Sequence, residues 1–343
     1  MSGSRVSKFM TQNAIYIVLV VLVAAISIYS PNFLSMTSFR DILIQSSPRV
    51  IIALGSAMIL ITAGCDLSAG RVVGLTAVVS ASLSQLANYP HPFFEQAPNL
   101  PTFLPIIIAI AVGACVGLVS GLIVAYLRIV PFIATLGTMV MTYGVCSLYF
   151  DMEPNNSQPI GGLRPEFTVF GSGSMDLGFM TIPYIVIIAA VISFIMWIVY
   201  NKTVLGKNMF AIGGNAQAAV VSYESNHGIC VFFLAATLIA IYVIAGALYG
   251  VGGILEAART GGATNNYGNM YELDAIAAAV VGGVSITGGV GTVPGIIAGV
   301  LIFTVINYGL TFVGMGPYWQ LIIKGLIIVV AVAVDVRKYL ARK

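Results

Sequence analysis

The sequence predicts an all-α polytopic membrane protein, a single transmembrane domain (1–343) of about ten hydrophobic helices, some short or broken. Two observations carry this expectation. Of 343 residues, 59% are hydrophobic and 8% charged, with a mean hydropathy of +0.99, whereas soluble domains carry about 25% charged residues. The charges also fall between long apolar runs, most of which reach the ~20 residues that a helix needs to cross the hydrocarbon. A water-soluble chain of this composition has no surface to offer solvent, while a surface facing lipid should be apolar. The net charge of +3 comes without a basic patch carrying interleaved aromatics, which excludes a nucleic-acid partner.

The first apolar run, 14–30, follows Arg5 and Lys8. It has the outline of a signal peptide, but no small-residue cleavage site follows and further spans do, so it reads as a retained helix. The later runs are 41–63, 67–87, 103–126, 131–150, 181–200, 230–253, 272–285, 291–313 and 318–334. The run from Glu272 is short and flanked by glycine, the pattern of a half-helix lining a cavity. Segment 151–180 reads as an acidic external loop rich in Pro, Gly and Ser, and 201–228 as a cytoplasmic loop too polar to span.

Lys and Arg set the orientation. With the N-terminus inside, one set of connections holds Arg5, Lys8, Arg71, Arg128, Lys202, Lys207, Arg337, Lys338, Arg342 and Lys343. The opposite set holds Arg40, Arg164 and Arg259 with Glu95, Asp151, Glu153, Glu166, Asp176 and Glu256. Both termini are therefore expected in the cytoplasm. Arg49 and Lys324 fall within spans, and a mid-span lysine requires a partner or a watery cavity.

The informative residues lie in the breaks. Asp66 and Arg71 flank the junction of the second and third runs, where Asp66 either caps a helix or lines a conduit. Between Glu256 and Asp274, Asn265, Asn266 and Asn269 offer amides and Tyr267 and Tyr271 offer ring faces, groups that suit sugar hydroxyls and an ordinary capped loop alike. Glu272 and Asp274 in a first helical turn complement the helix dipole. From Val281 to Gly295, six glycines and Pro294 require a turn between two helices. Neither these glycines nor Gly206-Lys207 complete the G-x-x-x-x-G-K-[ST] phosphate loop, so ATP is not expected to bind through one. After Gly213-Gly214, Asn215 can cap a short helix over 216–222, a natural docking element on a cytoplasmic loop. Asn307, Trp319 and Gln320 either line the pathway or tie helices together. Gly113, Gly117 and Gly121 repeat at the spacing that lets helices approach closely in lipid. Cys65, Cys115, Cys146 and Cys230 lack metal or disulfide spacing and read as packing residues. With His91 and His227 they provide no metal site. No cofactor and no catalytic residue is expected.

Four blocks then resemble a known family: Gly64-Cys-Asp-Leu-Ser-Ala-Gly, Pro131-Phe-Ile-Ala-Thr-Leu-Gly-Thr-Met, Lys207-Asn-Met-Phe-Ala-Ile-Gly-Gly-Asn, and Glu272-Leu-Asp-Ala-Ile-Ala-Ala with the glycine-rich turn. From about Ile15 to Lys338 the chain resembles the sugar permeases of bacterial ATP-binding-cassette importers, ribose/galactose class. Ala263-Thr-Asn-Asn-Tyr-Gly, Val305-Ile-Asn-Tyr-Gly-Leu-Thr and Pro317-Tyr-Trp-Gln look most like its galactose/methyl-galactoside branch. The resemblance implies the bacterial inner membrane and a homodimer, or a pseudo-symmetric pair, with the pathway between two copies. It also implies inverted repeats, a cytoplasmic ABC ATPase and a periplasmic sugar-binding protein. It assigns coupling to the ATPase to Gly206, Lys207, Phe210, Gly213, Gly214, Asn215, Ala218 and Ala219. The stretch 223–228 departs from the family's pattern and puts the ATPase contact in question. The pathway candidates are Asp66, Asn265, Asn266, Glu272, Asp274, Asn307, Trp319 and Gln320. The alternatives are an importer of another small polar solute such as ribose or a nucleoside, an ion-coupled secondary transporter and a passive channel.

Overall fold

The computed structural model describes residues 20, 23–24, 26–28, 30–95, 100–176, 178, 181–221 and 227–340. The first run, 14–30, lies largely outside them, and the divergent stretch 223–228 does so up to 226. The elements are α1 (Met36–Ile61), α2 (Ala69–Leu83), α3 (Phe103–Leu127), α4 (Pro131–Phe150), α5 (Pro165–Ser172), β1 (Ser174–Asp176), β2 (Thr181–Pro183), α6 (Tyr184–Lys202), α7 (Val204–Val221), α8 (His227–Thr260), α9 (Tyr271–Val281), α10 (Val293–Phe312) and α11 (Pro317–Leu340). A single antiparallel pair, β1 with β2, interrupts the helices among the described residues. The protein is a helical membrane bundle. Six of its described helices are long and apolar enough to span a bilayer: α1, α3, α4, α6, α8 from Leu234, and α10. Shorter apolar stretches lie at α2 and over Pro317–Val330.

Length separates α2 and α9 from the rest. Their 15 and 11 residues reach about 22 and 16 Å at 1.5 Å per residue, short of the ~30 Å hydrocarbon. Each follows an irregular break. α8 extends through Glu256 and Arg259 to Thr260, seven residues beyond the apolar run. The reason is that Arg259 donates to the buried Glu256 one turn away, at 2.6 and 3.0 Å, so the charges neutralise each other on the helix. Segment 151–180 carries α5 and β1, because Pro165 starts a helix in its first turn. Segment 201–228 is helical over α7, with one non-helical residue, Asn215 (φ −163°, ψ 100°). The glycine-rich turn does separate two helices: Thr292 accepts from the Gly295 amide at 3.2 Å to cap α10, whose first turn holds Pro294.

α1 is buried along most of its length and forms the centre with α8, α2, α9 and α10. α3, α4 and α6 turn large apolar side chains outward, among them Phe103, Ile107, Val140, Leu148 and Phe194, an exterior suited to the interior of a membrane. The glycine stripe of α3 crosses α8 at backbone distance. A Cβ on Gly113 would strike the carbonyl of Gly246, one on Gly117 the carbonyl of Tyr242, and one on Gly246 the carbonyl of Gly113. Contact this close is the gain that small residues bring in lipid.

Candidate functional site

Two breaks meet at one end of the bundle, with a helix across them. α1 closes through Thr62, Ala63 and Gly64, whose amides return to the carbonyls of Ile59 and Leu60 at 2.9–3.1 Å, with Ala63 left-handed (φ 61°). Gly289 (φ 73°), in the turn after α9, donates its amide to the Ile61 carbonyl at 2.9 Å. α7 lies across this junction. Gly213 packs so tightly that a Cβ would collide with the Ile61 carbonyl and the Gly289 amide. Met209 and Ile212 are buried beside it, and Phe210 meets Tyr200 edge-on, 6.3 Å between centroids. Tyr200 in turn donates to the Leu54 carbonyl at 2.8 Å. Gly206 abuts the carbonyls of Val199 and Tyr200. The opposite face of α7 is turned outward: Lys207, Gly214 and Asn215 are exposed, with nothing within 4 Å of a Cβ at Gly214. The side chains of Ala218 and Ala219 lie outside the described residues.

The second constellation occupies the interior. Asp66 is 2% exposed. Oδ1 accepts from the amide and hydroxyl of Ser68 at 2.8 and 2.7 Å, and Oδ2 accepts from the Tyr249 hydroxyl of α8 at 3.0 Å. Thr135 of α4 receives the Leu67 amide at 3.1 Å and lies 3.1 Å from the Cys65 carbonyl. This irregular break starts α2, whose Gly70 and Gly74 let the connection 261–270 come to backbone contact through Gly268 and the Tyr267 carbonyl. α9 follows. Its Glu272 carboxylate sits on Gly70, and Tyr271 donates to Glu256 at 3.1 Å. Asp274 accepts from Lys324 of α11 at 2.9 Å, giving the mid-span lysine its partner. The Arg49 guanidinium lies 5.7 Å from the Tyr271 ring centroid. Arg49, Tyr271 and Asp274 line a small cleft closed by Ile52, Ala278, Val300 and Phe303.

The structure thus brings Asp66, Glu272 and Asp274 into one interior region around α2 and α9. Asn265 and Asn266 lie on the adjoining connection, with Asn265 near Ser147 of α4 at 3.4 Å. Asn307 is buried elsewhere, on α10, and neither end of its amide has a hydrogen-bond partner among the described residues. Trp319 is largely exposed, while Gln320 donates to Thr311 and the Met315 carbonyl at 3.1 and 3.2 Å, closing the α10–α11 turn. Sequence reasoning missed Tyr143, which covers Arg71 at 4.3 Å. Its place within an apolar run gave no signal.

An apolar shell, polar breaks gathered in its interior and a helix lying across one end define an integral membrane permease. The chain belongs to the family described as branched-chain amino acid transport system / permease component, whose model matches residues 38–332. It is 53% identical to the galactose/methyl galactoside import permease protein of Haemophilus influenzae over 332 residues, covering 97% of this chain and 96% of that one. It is 50% identical to the protein of the same description from Escherichia coli K12, with both chains covered in full. The ribose import permease protein of E. coli K12 is 34% identical over 322 residues, 94% of this chain and 92% of that one. No solved structure matches the chain.

Proposed function

We propose that this chain is the membrane-spanning subunit of an ATP-driven importer that carries galactose or a methyl galactoside from a periplasmic binding protein into the cytoplasm. The carrying observation is full-length identity of 50–53% to proteins described as galactose/methyl galactoside import permeases. Two copies pair in the bacterial inner membrane and enclose the pathway, with both termini in the cytoplasm. Hydrolysis of ATP belongs to a separate cytoplasmic subunit, since the sequence lacks a phosphate loop. The exposed face of α7, with Lys207, Gly214 and Asn215, receives that subunit. Force on α7 passes through Gly213 to the ends of α1 and α9, the two connections it touches. Ten spans arranged as inverted repeats agree with the two short helices α2 and α9, each entered from an irregular break. Asp66, Asn265, Asn266, Glu272 and Asp274 border the pathway between them, and Asn307, Trp319 and Gln320 flank it.

The test is reconstitution in liposomes with the ATPase and the binding protein, measuring uptake of labelled galactose, methyl galactoside and ribose. ATP-dependent galactoside uptake is the expected result. Uptake indifferent to ATP that follows a proton or sodium gradient overturns the proposal, and preference for ribose moves the substrate to the more distant relatives.

A further inference from the structure

The outward face of α4 is apolar at Ile133, Val140, Met141, Val145 and Leu148, all exposed. Tyr143 interrupts it. Its ring, 40% exposed, covers the Arg71 guanidinium, 4.3 Å from the ring centroid. Arg71 comes from α2 and donates through Nη2 to Asn269 Oδ1 at 2.9 Å, so the connection before α9 completes the rim. Asn269 is itself exposed. Behind the rim, two buried polar atoms have no hydrogen-bond partner among the described residues, Arg71 Nη1 and Glu272 Oε2. Glu272 rests on Gly70, where any Cβ would displace it, within electrostatic reach of Arg71.

A tyrosine ring alone could face lipid. A guanidinium, a carboxylate and a primary amide beside it could not without heavy cost, so this patch opens on water or on a polar solute. Arg71 repels a simple cation and Glu272 a simple anion, which leaves a neutral solute or a zwitterion, and the sugar-import reading selects the neutral one. A neutral polyol fits both, because one hydroxyl accepts from the guanidinium while its neighbour donates to the carboxylate. The exposed ring provides a flat apolar surface for the C–H face of a pyranose. Both unpaired atoms are buried, which is costly to hold, and a shift of α2 against α9 that opens them to adjacent hydroxyls relieves one of each.

We propose that Tyr143, Arg71, Asn269 and Glu272 form a contact station for a sugar on its passage along the chain. This rests on the sugar-import reading above. The four groups come from α2, α4 and the segment entering α9, so a relative shift of these elements makes or breaks the station and releases its occupant.

The experiment uses the complete importer in liposomes with saturating galactose-loaded binding protein, reading sugar uptake and ATP hydrolysis together. In Tyr143→Leu, loss of the stacking surface lowers uptake about tenfold, while hydrolysis stimulated by the binding protein stays within about twofold. Tyr143→Trp keeps uptake within about twofold because the ring face remains. Arg71→Gln slows galactose uptake more than that of a deoxygalactose lacking the hydroxyl it holds, which a merely structural role would not do. Wild-type uptake by Tyr143→Leu, or hydrolysis falling in parallel with uptake, overturns the station. A wild-type chain that carries no galactoside under ATP overturns the import reading itself, and the station with it.

Discussion

Asp66 and Asp274 are both carboxylates among apolar helices, yet the structure satisfies them differently. Asp66 is held by Ser68, two residues on, and by Tyr249 of α8. The local half of that arrangement is legible in the sequence as a helix cap. The distant half is not, since Tyr249 sits in an apolar run with nothing to mark it. Asp274 meets Lys324, fifty residues later, at 2.9 Å. The sequence demands that the lysine have a partner, but several acids could serve and only the packing of α11 on α9 selects one. The side chains of the pair remain 20% and 14% exposed, so the ion pair itself contributes modestly, while either charge left alone is costly. Lys324→Met and Asp274→Leu are each expected to lower stability by about 2 kcal/mol, and the double variant to recover most of the loss. Thermal unfolding of the four proteins in nanodiscs measures this, and additive losses would mean that the two residues do not act as a pair.

At the scale of elements, α7 combines a packed face with an outward one. Gly213 and Gly214 are adjacent and look interchangeable in the sequence. In the fold, Gly213 is pressed against the Ile61 carbonyl and Gly214 faces open space. Backbone cannot yield as a side chain can, so Gly213→Val is expected to destabilise the bundle by about 1–3 kcal/mol. Gly214→Val leaves the fold intact and obstructs only what docks there, so it should uncouple ATP hydrolysis from uptake. Normal ATP-driven uptake by Gly214→Val refutes the coupling role of this face. The helices themselves were legible where hydropathy alone decides, as in α3, α4 and α6. The pattern failed at the ends of elements. α8 continues past its apolar stretch because Glu256 and Arg259 pair along the helix, and α2 stops at 15 residues because Leu67 and Ser68 belong to the break at Asp66 while Gln85 and Leu86 leave the helix to pair with Leu163 and Gly162. Contacts between the breaks, such as Gly213 with Ile61 and Gly289, depend on the whole packing and leave no local signature.

At the scale of the molecule, the two ends of the bundle differ in composition, and this asymmetry makes orientation testable. α7 and the junction of Ile61 with Gly289 lie at one end. The other gathers the connections after α2, α4 and α8, tied by the bridges Gln85–Leu163 and Ile160–Ala263 and by Arg164, which donates to the Leu100 carbonyl at 2.6 Å. Lys202 and Lys207 fall on the first end, Asp151, Glu153 and Glu166 on the second. Lys and Arg in short connections are retained on the cytoplasmic side, while acidic residues contribute little to that choice. The α7 end is therefore expected inside. In a variant with all four cysteines replaced by alanine, a cysteine at Met175, which is exposed beside β2, should react with a charged, membrane-impermeant maleimide in spheroplasts. A cysteine at Lys207 should react only once the inner membrane is opened. The reverse pattern would put α7 on the outer side, where no ATPase could reach it, and would remove the ground for coupling through Gly213. Labelling at both positions in intact spheroplasts would place the two ends on one side of the bilayer, contrary to a bundle whose helices of 19–27 residues run between them.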